Sequence, residues 1–392
     1  MPDHRDPATW PTWRALLPHI DALASYSAPA GNKTAIHTIA AILDHTGLYL
    51  QGQGLHATAL AYHHHALADC ERLLGVEHPD TLTSRGNLAG AYESVGRLGE
   101  AIPLYEQTLT DRERVCGADH PRTLASRHNL ASAYGAVGRL EEAIALYEQT
   151  LADGERVLGG EHPDALASRN NLAYAYQSAG RLDEAIALHE QTLADQERML
   201  GGEHPDALTS RNNLAIAYQS AGRLEEAVAL HEQTLADRER VLGVENPDTL
   251  TSRSNLAYAY ESEGRLGETI ALYEQTLADR ERVLGVEHPD TLGSRNNLAG
   301  AYEAVGRLEE AIALYEQTLA DQERGLGVEH PNTLIYRNNL AYIYGTAGHL
   351  EKAIPLYEQA LADCERILGP QHPTTGVVRG NLAASRKQRS IQ

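Results

Sequence analysis

The histidines are the first residues here whose recurrence could do chemistry. His-Pro pairs stand at 78–79, 120–121, 162–163, 204–205, 288–289, 330–331 and 372–373, and Asn246-Pro247 fills the one gap in the series. Imidazoles suit zinc, but each ligand must lie about 2 Å from the ion. Every step between these pairs is 42 residues, which puts the rings on successive structural repeats, about 10 Å apart. No shared metal site follows, and capping or loop packing is the expected role. His63-His64-His65 points the same way, because consecutive helical side chains diverge by about 100°. Cys70, Cys116 and Cys364 form no CxxC pair and no disulfide framework. AGNKT at 30–34 is the nearest approach to a phosphate loop, but it lacks the first glycine and has Asn32 where glycine should precede the lysine. Ser, His and Asp recur with the period, whereas a catalytic set would break it at one place. The reading is therefore no enzyme, no metal and no cofactor.

A different set remains. Asn87, Asn129, Asn171, Asn213, Asn255, Asn297 and Asn339 hold one place in successive repeats. Ala167, Asn171, Tyr174 and Ser178 are spaced i, i+4, i+7, i+11 and share a helix face. That face lies nearly opposite Leu172 and Tyr176. An asparagine amide carries both donor and acceptor, so it can pair with the N–H and C=O of an extended peptide. Rungs about 8–10 Å apart match about three residues of extended chain. The alternative is that each amide bonds the neighbouring helix and locks the stack. The Tyr174 place reads Gly90, Ser132, Tyr174, Ile216, Tyr258, Gly300 and Tyr342 down the chain. Tyr174, Ile216, Tyr258 and Tyr342 thus vary a groove position while the scaffold around it repeats. The stripe has no Lys or Arg, and Glu93, Glu261 and Glu303 flank it, so a neutral or basic segment is favoured.

These side chains need elements to position them, and the period supplies those. A fixed repeat in this range indicates a stacked array. Within 160–201, Pro163 suits a first helical position and Asp164 suits the positive end of the helix dipole. Gly180 can end that helix in a left-handed conformation. Asp183 and Glu184 open a second helix that runs to Gly201. Leu172, Ala173 and Tyr176 on the first helix face Leu182, Ala185, Ile186, His189, Thr192 and Leu193 on the second. One such hairpin cannot bury its apolar side alone. Arg85, Arg127, Arg169, Arg211, Arg253, Arg295 and Arg337 sit toward the core and need partners; acids late in the preceding hairpin, such as Glu155 for Arg169, are the natural ones. Trp10 and Trp13 read as an apolar plug over the first repeat.

The chain has 392 residues, 42% of them hydrophobic, with no Phe and a net charge of −21. That deficit argues against a phosphate backbone as partner, so no nucleic acid is expected. No stretch is long and apolar enough to span a membrane, and the N-terminus lacks the form of a signal peptide. With sparse cysteines, a reducing, cytoplasmic setting is expected.

Leu172-Ala173, Tyr176, Gly180, Ala185 and position 189, recurring in phase over about residues 34 to 390, resemble tetratricopeptide repeats (TPR). The longer unit with G-x-E-H-P-D and N-N-L-A resembles the kinesin-light-chain type. The resemblance implies an all-α fold, a right-handed α-solenoid of stacked antiparallel helix pairs, binding peptide segments in its concave groove. The expected organisation is an N-terminal capping segment 1–33, a divergent first repeat 34–75, seven repeats over 76–369, and a C-terminal capping helix 370–392. Residues 6–23 resemble the segment before the TPR array in bacterial NB-ARC/STAND regulators. That resemblance implies an alternative role as the sensor arm of a STAND-type ATPase, and a third is homotypic assembly. The leading expectation is a non-catalytic scaffold for a protein or peptide ligand.

Overall fold

The computed structural model describes residues 9–24, 33–53, 55–325, 327–328, 330–367, 369–370 and 372–390. Among these, eighteen α-helices follow one another and no strand occurs. The chain divides into two compact units, Met1–Asp195 and Gln196–Gln392. The first holds α1 (Trp10–Ala24), α2 (Lys33–Gly52), α3 (His56–Leu74), α4 (Pro79–Ser94), α5 (Leu98–Cys116), α6 (Pro121–Ala136), α7 (Leu140–Leu158), α8 (Pro163–Ser178) and most of α9 (Leu182–Leu200). The second continues with α10 (Pro205–Ser220), α11 (Leu224–Leu242), α12 (Pro247–Ser262), α13 (Leu266–Val283), α14 (Pro289–Ala304), α15 (Leu308–Gly325), α16 (Pro331–Thr346), α17 (Leu350–Ile367) and α18 (Pro373–Arg389). From α4 onward an A helix beginning at Pro alternates with a B helix.

The starts of the A helices explain the His-Pro pairs. His78 Nδ1 accepts the backbone N–H of Asp80 at 3.2 Å, and His120, His162, His204, His288 and His372 make the same bond two residues on. Asn246 Oδ1 accepts the N–H of Asp248 at 2.9 Å. Each side chain satisfies one of the donors that a helix start leaves open, and Pro follows at the first helical position. The series is a set of N-caps, and asparagine fills its gap because it caps equally well. His288→Ala is therefore expected to lose about 1 kcal/mol of stability, while His288→Asn is neutral; thermal melts of the two variants check this.

The A helices end as glycine permits. Gly180 has φ of 75°; its N–H donates to the Gln177 carbonyl, and the Arg181 N–H donates to the Tyr176 carbonyl at 2.8 Å. That is the paired closure of a Schellman motif, which needs a left-handed residue. A helices run 16 residues and the next B helix 19, so the A helix is shorter than its partner.

In the first compact unit the core has two parts. Trp13 lies fully buried and stacks on Tyr49 with ring centroids 5.1 Å apart, joining Ile20, Ile36, Leu43 and Ala59. Trp13 thus covers the α2–α3 hairpin; the side chain of Trp10 lies outside the described residues, as do residues 30–32 of the AGNKT stretch. The second part joins Leu130, Ala131, Ala143, Ile144, Tyr147, Leu172 and Ala185. In the second compact unit, Leu298, Ala299, Ala311, Ile312, Tyr315, Leu340, Ala341 and Tyr357 form one cluster. Alanine at the closest approaches lets neighbouring helices pack tightly.

The arginines expected on the core side are buried there. Arg169 donates to Glu155 Oε1 at 2.6 Å, as its position requires, and also to Asp195 Oδ2 at 2.8 Å. Arg295 repeats this with Glu281 at 2.9 Å and Asp321 at 2.7 Å, and so do Arg127, Arg211, Arg253 and Arg337. The Glu comes from the preceding B helix and the Asp from the B helix of the same hairpin. Asp237 and Asp279 also accept from Arg240 and Arg282 three residues on. Burial pushes these two carboxyls up, but the paired guanidinium groups outweigh it and hold them below the usual range. One guanidinium therefore ties three helices together.

His63, His64 and His65 turn to three different partners. His63 Nδ1 lies 3.0 Å from buried Asp44, His64 Nε2 lies 2.8 Å from the Tyr92 hydroxyl, and His65 Nε2 lies 3.4 Å from Asp69.

Candidate functional site

The candidate site is the A-helix face that the B helices leave uncovered. In the first compact unit, a cleft of about 180 Å³ between α6 and α8 is bordered by Ser132, Asn171, Tyr174 and Ser178. In the second, a cleft of about 210 Å³ between α16 and α18 is bordered by Tyr342, Tyr357 and Asn381. Asn171, Tyr174 and Ser178 of the expected stripe thus border one cleft, while Ala167 borders another beside it.

The tyrosines separate sharply by position. Tyr174, Tyr258 and Tyr342 are 42%, 58% and 50% exposed, whereas Tyr176, Tyr260 and Tyr344, two residues on, are 8%, 9% and 6% exposed. The buried set donates its hydroxyls to Glu148, Glu232 and Glu316 of the preceding B helix and carries a cation against each ring, Arg181 on Tyr176, Arg265 on Tyr260 and Lys352 on Tyr344. Those rings hold the stack. The exposed set presents aromatic surface to solvent; Tyr174 keeps one edge-to-face contact, with His189 at 5.5 Å. Ile216 is half-buried at the same place, Gly300 leaves it open, and at Gly90 a Cβ would come within 3.3 Å of the Tyr105 hydroxyl.

The asparagines fall into three groups. Asn171 donates from Nδ2 to His128 Nδ1 at 3.3 Å, Asn255 to Asn212 Oδ1 at 2.9 Å, and Asn339 to Asn296 Oδ1 at 3.1 Å. Each partner lies 43 residues earlier, on the preceding A helix. Each of these amides retains its own Oδ1 and a second N–H. Asn129 and Asn297 are exposed. The residues 43 places before them are Gly86 and Ser254, which offer no amide or imidazole acceptor. Asn87 is half-buried and Asn213 buried. One further rung exists: Asn381 on α18 donates to Asn338 at 3.1 Å. It stands in register with the other seven, and only its place in the last helix kept it off the series.

Glu93, Glu261 and Glu303 lie half-buried beside this face. Glu93 accepts the Tyr105 hydroxyl at 2.8 Å. Burial pushes the Glu261 and Glu303 carboxyls above their ordinary range, so an incoming cation would relieve part of that penalty.

One class of residue on this face escaped the sequence pattern. Arg112, Arg238 and Arg280 reach out from B helices and bond hydroxyls on the A helices at either side. Their position reads Cys70, Arg112, Gly154, Gln196, Arg238, Arg280, Gln322 and Cys364, and that variability inside a near-invariant repeat is the signal that could have found them.

A family model described as tetratricopeptide repeat matches residues 38–114, 87–156, 129–198, 164–240, 206–281, 248–324 and 294–366. Among solved structures, the chain is similar to the nearly identical TPR-like repeats of a kinesin light chain candidate from Podosopora anserina. The two are 42% identical, covering 53% of this chain and 98% of that one, with a TM-score of 0.47. It is also similar to a signal transduction ATPase with numerous domains (STAND) that carries a TPR sensor, from Pyrococcus horikoshii. That match is 14% identical and covers 84% of this chain and half (50%) of that one, at a TM-score of 0.50. The apo form of RapI matches at 12% identity over 73% of this chain and 98% of its own, TM-score 0.51. Comparison with curated proteins returns no match.

Proposed function

Because this chain belongs to the tetratricopeptide repeat family, we propose that it is a non-catalytic scaffold whose uncovered A-helix face holds an extended segment of a partner protein. The observation that carries this reading is the split between the tyrosines. Hairpins that bury Tyr176, Tyr260 and Tyr344 in hydrogen-bonded contacts leave Tyr174, Tyr258 and Tyr342, two residues earlier on the same helices, about half exposed. Large exposed aromatics beside amides that keep an Oδ1 and one N–H are what a peptide-binding surface offers. The asparagines take the segment's backbone, and the varied Tyr174 place selects among side chains. The half-buried glutamates favour a neutral or basic segment.

Asn129→Ala with Asn297→Ala separates binding from stacking, since neither side chain bonds a neighbouring hairpin among the described residues. Partner recovery in a quantitative pull-down is expected to fall about tenfold, one lost charge-free bond pair being worth roughly 1 kcal/mol or more, while the melting temperature holds. Unchanged recovery, or loss confined to an Asn255→Ala, Asn339→Ala pair that also melts lower, would make the asparagines stacking clips only.

The alternative of a sensor arm serving a STAND-type ATPase requires the N-terminal segment to dock on another chain. The burial of Trp13 against Tyr49 of the same chain favours the capping role for that segment instead.

A further inference from the structure

We propose that the cavity beside Gly154 is a receptor for an arginine side chain carried by the partner segment. The proposal rests on the groove reading above for the source of that arginine, and on the chain's own chemistry for everything else.

Three repeats supply their own guanidinium at this place. Arg112 donates to the Arg122 carbonyl at 2.9 Å and to Ser126 Oγ at 2.7 Å, and reaches Thr83 Oγ1 at 3.4 Å. Arg238 donates to the Asp248 carbonyl at 3.0 Å, Ser252 Oγ at 2.8 Å and Thr209 Oγ1 at 2.9 Å. Arg280 does the same with the Asp290 carbonyl, Ser294 and Thr251. Among the described residues, no carboxylate bonds any of the three. A carbonyl in the first turn of the next A helix and flanking hydroxyls are enough to hold a desolvated guanidinium here.

At 154 the arginine is absent. Gly154 is buried, yet a Cβ built on it would meet nothing within 4 Å. A cavity of about 330 Å³ occupies the place, bordered by Ala125, His128, Asp164, Ser168 and Asn171. Ser168 and the Asp164 carbonyl stand where Ser126 and the Arg122 carbonyl serve Arg112. They bond each other at 2.9 Å, as Ser294 and the Asp290 carbonyl do at 3.1 Å while both also accept from Arg280, so the bond leaves them able to receive a guanidinium. Ala125 replaces the threonine found at 83, 209 and 251, which removes one hydroxyl and widens the mouth. The space exceeds a water molecule's share of about 30 Å³ tenfold, room for a guanidinium and its stem. A guanidinium at the polar end gains both oxygens as acceptors, as Arg112 does at Ser126 and the Arg122 carbonyl, while its stem lies along Leu124, Ala125 and Leu158. A cation also suits a chain of net charge −21. His128 adds no opposing charge, since burial draws its imidazole below the ordinary range and its Nδ1 accepts from Asn171. Asn171 is one rung of the ladder, so a segment bonded there brings a side chain to the mouth.

The test titrates the full chain with a capped arginine, N-acetyl-arginine methylamide, and follows the Ala125 and Ala167 methyl resonances. Half-saturation is expected at about 1 mM, with capped citrulline and capped lysine about tenfold weaker. Gly154→Arg places the chain's own guanidinium in the cavity, keeps or raises the melting temperature and abolishes the response. Arg238→Gly opens the same place in the other compact unit, with its hydroxyls intact. Its lowered melting temperature should be restored by capped arginine and not by capped citrulline, and this arm decides should Gly154→Arg fail to fold. Silent methyls, an equal response in Gly154→Arg, or no rescue of Arg238→Gly would overturn the assignment. Tighter binding of free arginine than of the capped form would overturn its peptide source. The probe makes no use of the asparagine ladder, so a positive titration beside undiminished binding by the asparagine variants would strike the groove reading alone.

Discussion

Arg295→Met is expected to lose about 3–5 kcal/mol of stability, the cost of breaking a buried ion cluster by removing one member. Arg295 is 0% exposed and Asp321 is 5% exposed. Methionine fills the space but leaves Asp321 and Glu281 without the guanidinium that joins them. Asp321 keeps Arg324 at 2.7 Å, which softens the loss without replacing the link to the preceding hairpin. Adding Asp321→Leu should recover much of the deficit, because replacing both charges by apolar groups is often near neutral. Denaturant titrations of the single and double variants measure both. A single variant within 1 kcal/mol of the parent would mean that the cluster's attraction only balances its desolvation.

The second large effect is acid sensitivity. His189 and His231 are fully buried, and neither ring nitrogen has a hydrogen-bond partner among the described residues. Burial lowers both from 6.5 to about 4. The folded chain thus binds protons less readily than the unfolded chain. The stabilisation is complete above about pH 6.5, drains as pH falls toward 4, and is absent below that. Each imidazole accounts for about 3 kcal/mol across that window, at roughly 1.4 kcal/mol per unit. Asp237 and Asp279 act in a separate, lower window, since their folded values lie below 3.8 and their contribution fades only under it. His189→Tyr with His231→Tyr installs the residue found at 105, 147, 273, 315 and 357. The fall in melting temperature between pH 7 and pH 4.5 should shrink in that variant. An undiminished fall would assign the acid response to other groups.

Much of this was legible from residue spacing. The period located every hairpin from residue 79 onward, because proline and glycine act through local backbone geometry that tertiary context rarely overrides. Glu155 was predictable as a partner of Arg169 because it closes the preceding B helix. Asp195 was not, since its meeting with Arg169 depends on the crossing of two helices within one hairpin, which spacing alone does not determine. The asparagines show the same divide. Their common face follows from helical periodicity. Which of them bond backward needs an acceptor 43 places earlier, as His128, Asn212 and Asn296 provide. It also needs an approach of the two side chains that spacing does not determine, since Asn170 keeps an Oδ1 unpartnered among the described residues although Asn213 stands 43 places on. Gly154 reads in sequence only as a weak point in a helix; its importance emerges once Arg112, Arg238 and Arg280 are seen to occupy the same place.

The three-helix arginine clusters carry an evolutionary consequence. Glu239 meets Arg253 as Glu281 meets Arg295, with the same atoms at similar distances. A recombination that excised one hairpin would join Glu239 to Arg295 and lose no complementary charge at the seam. Copy number can therefore drift by gain or loss of whole modules without any compensating substitution, and the lineage can lengthen or shorten the array faster than it can redesign it.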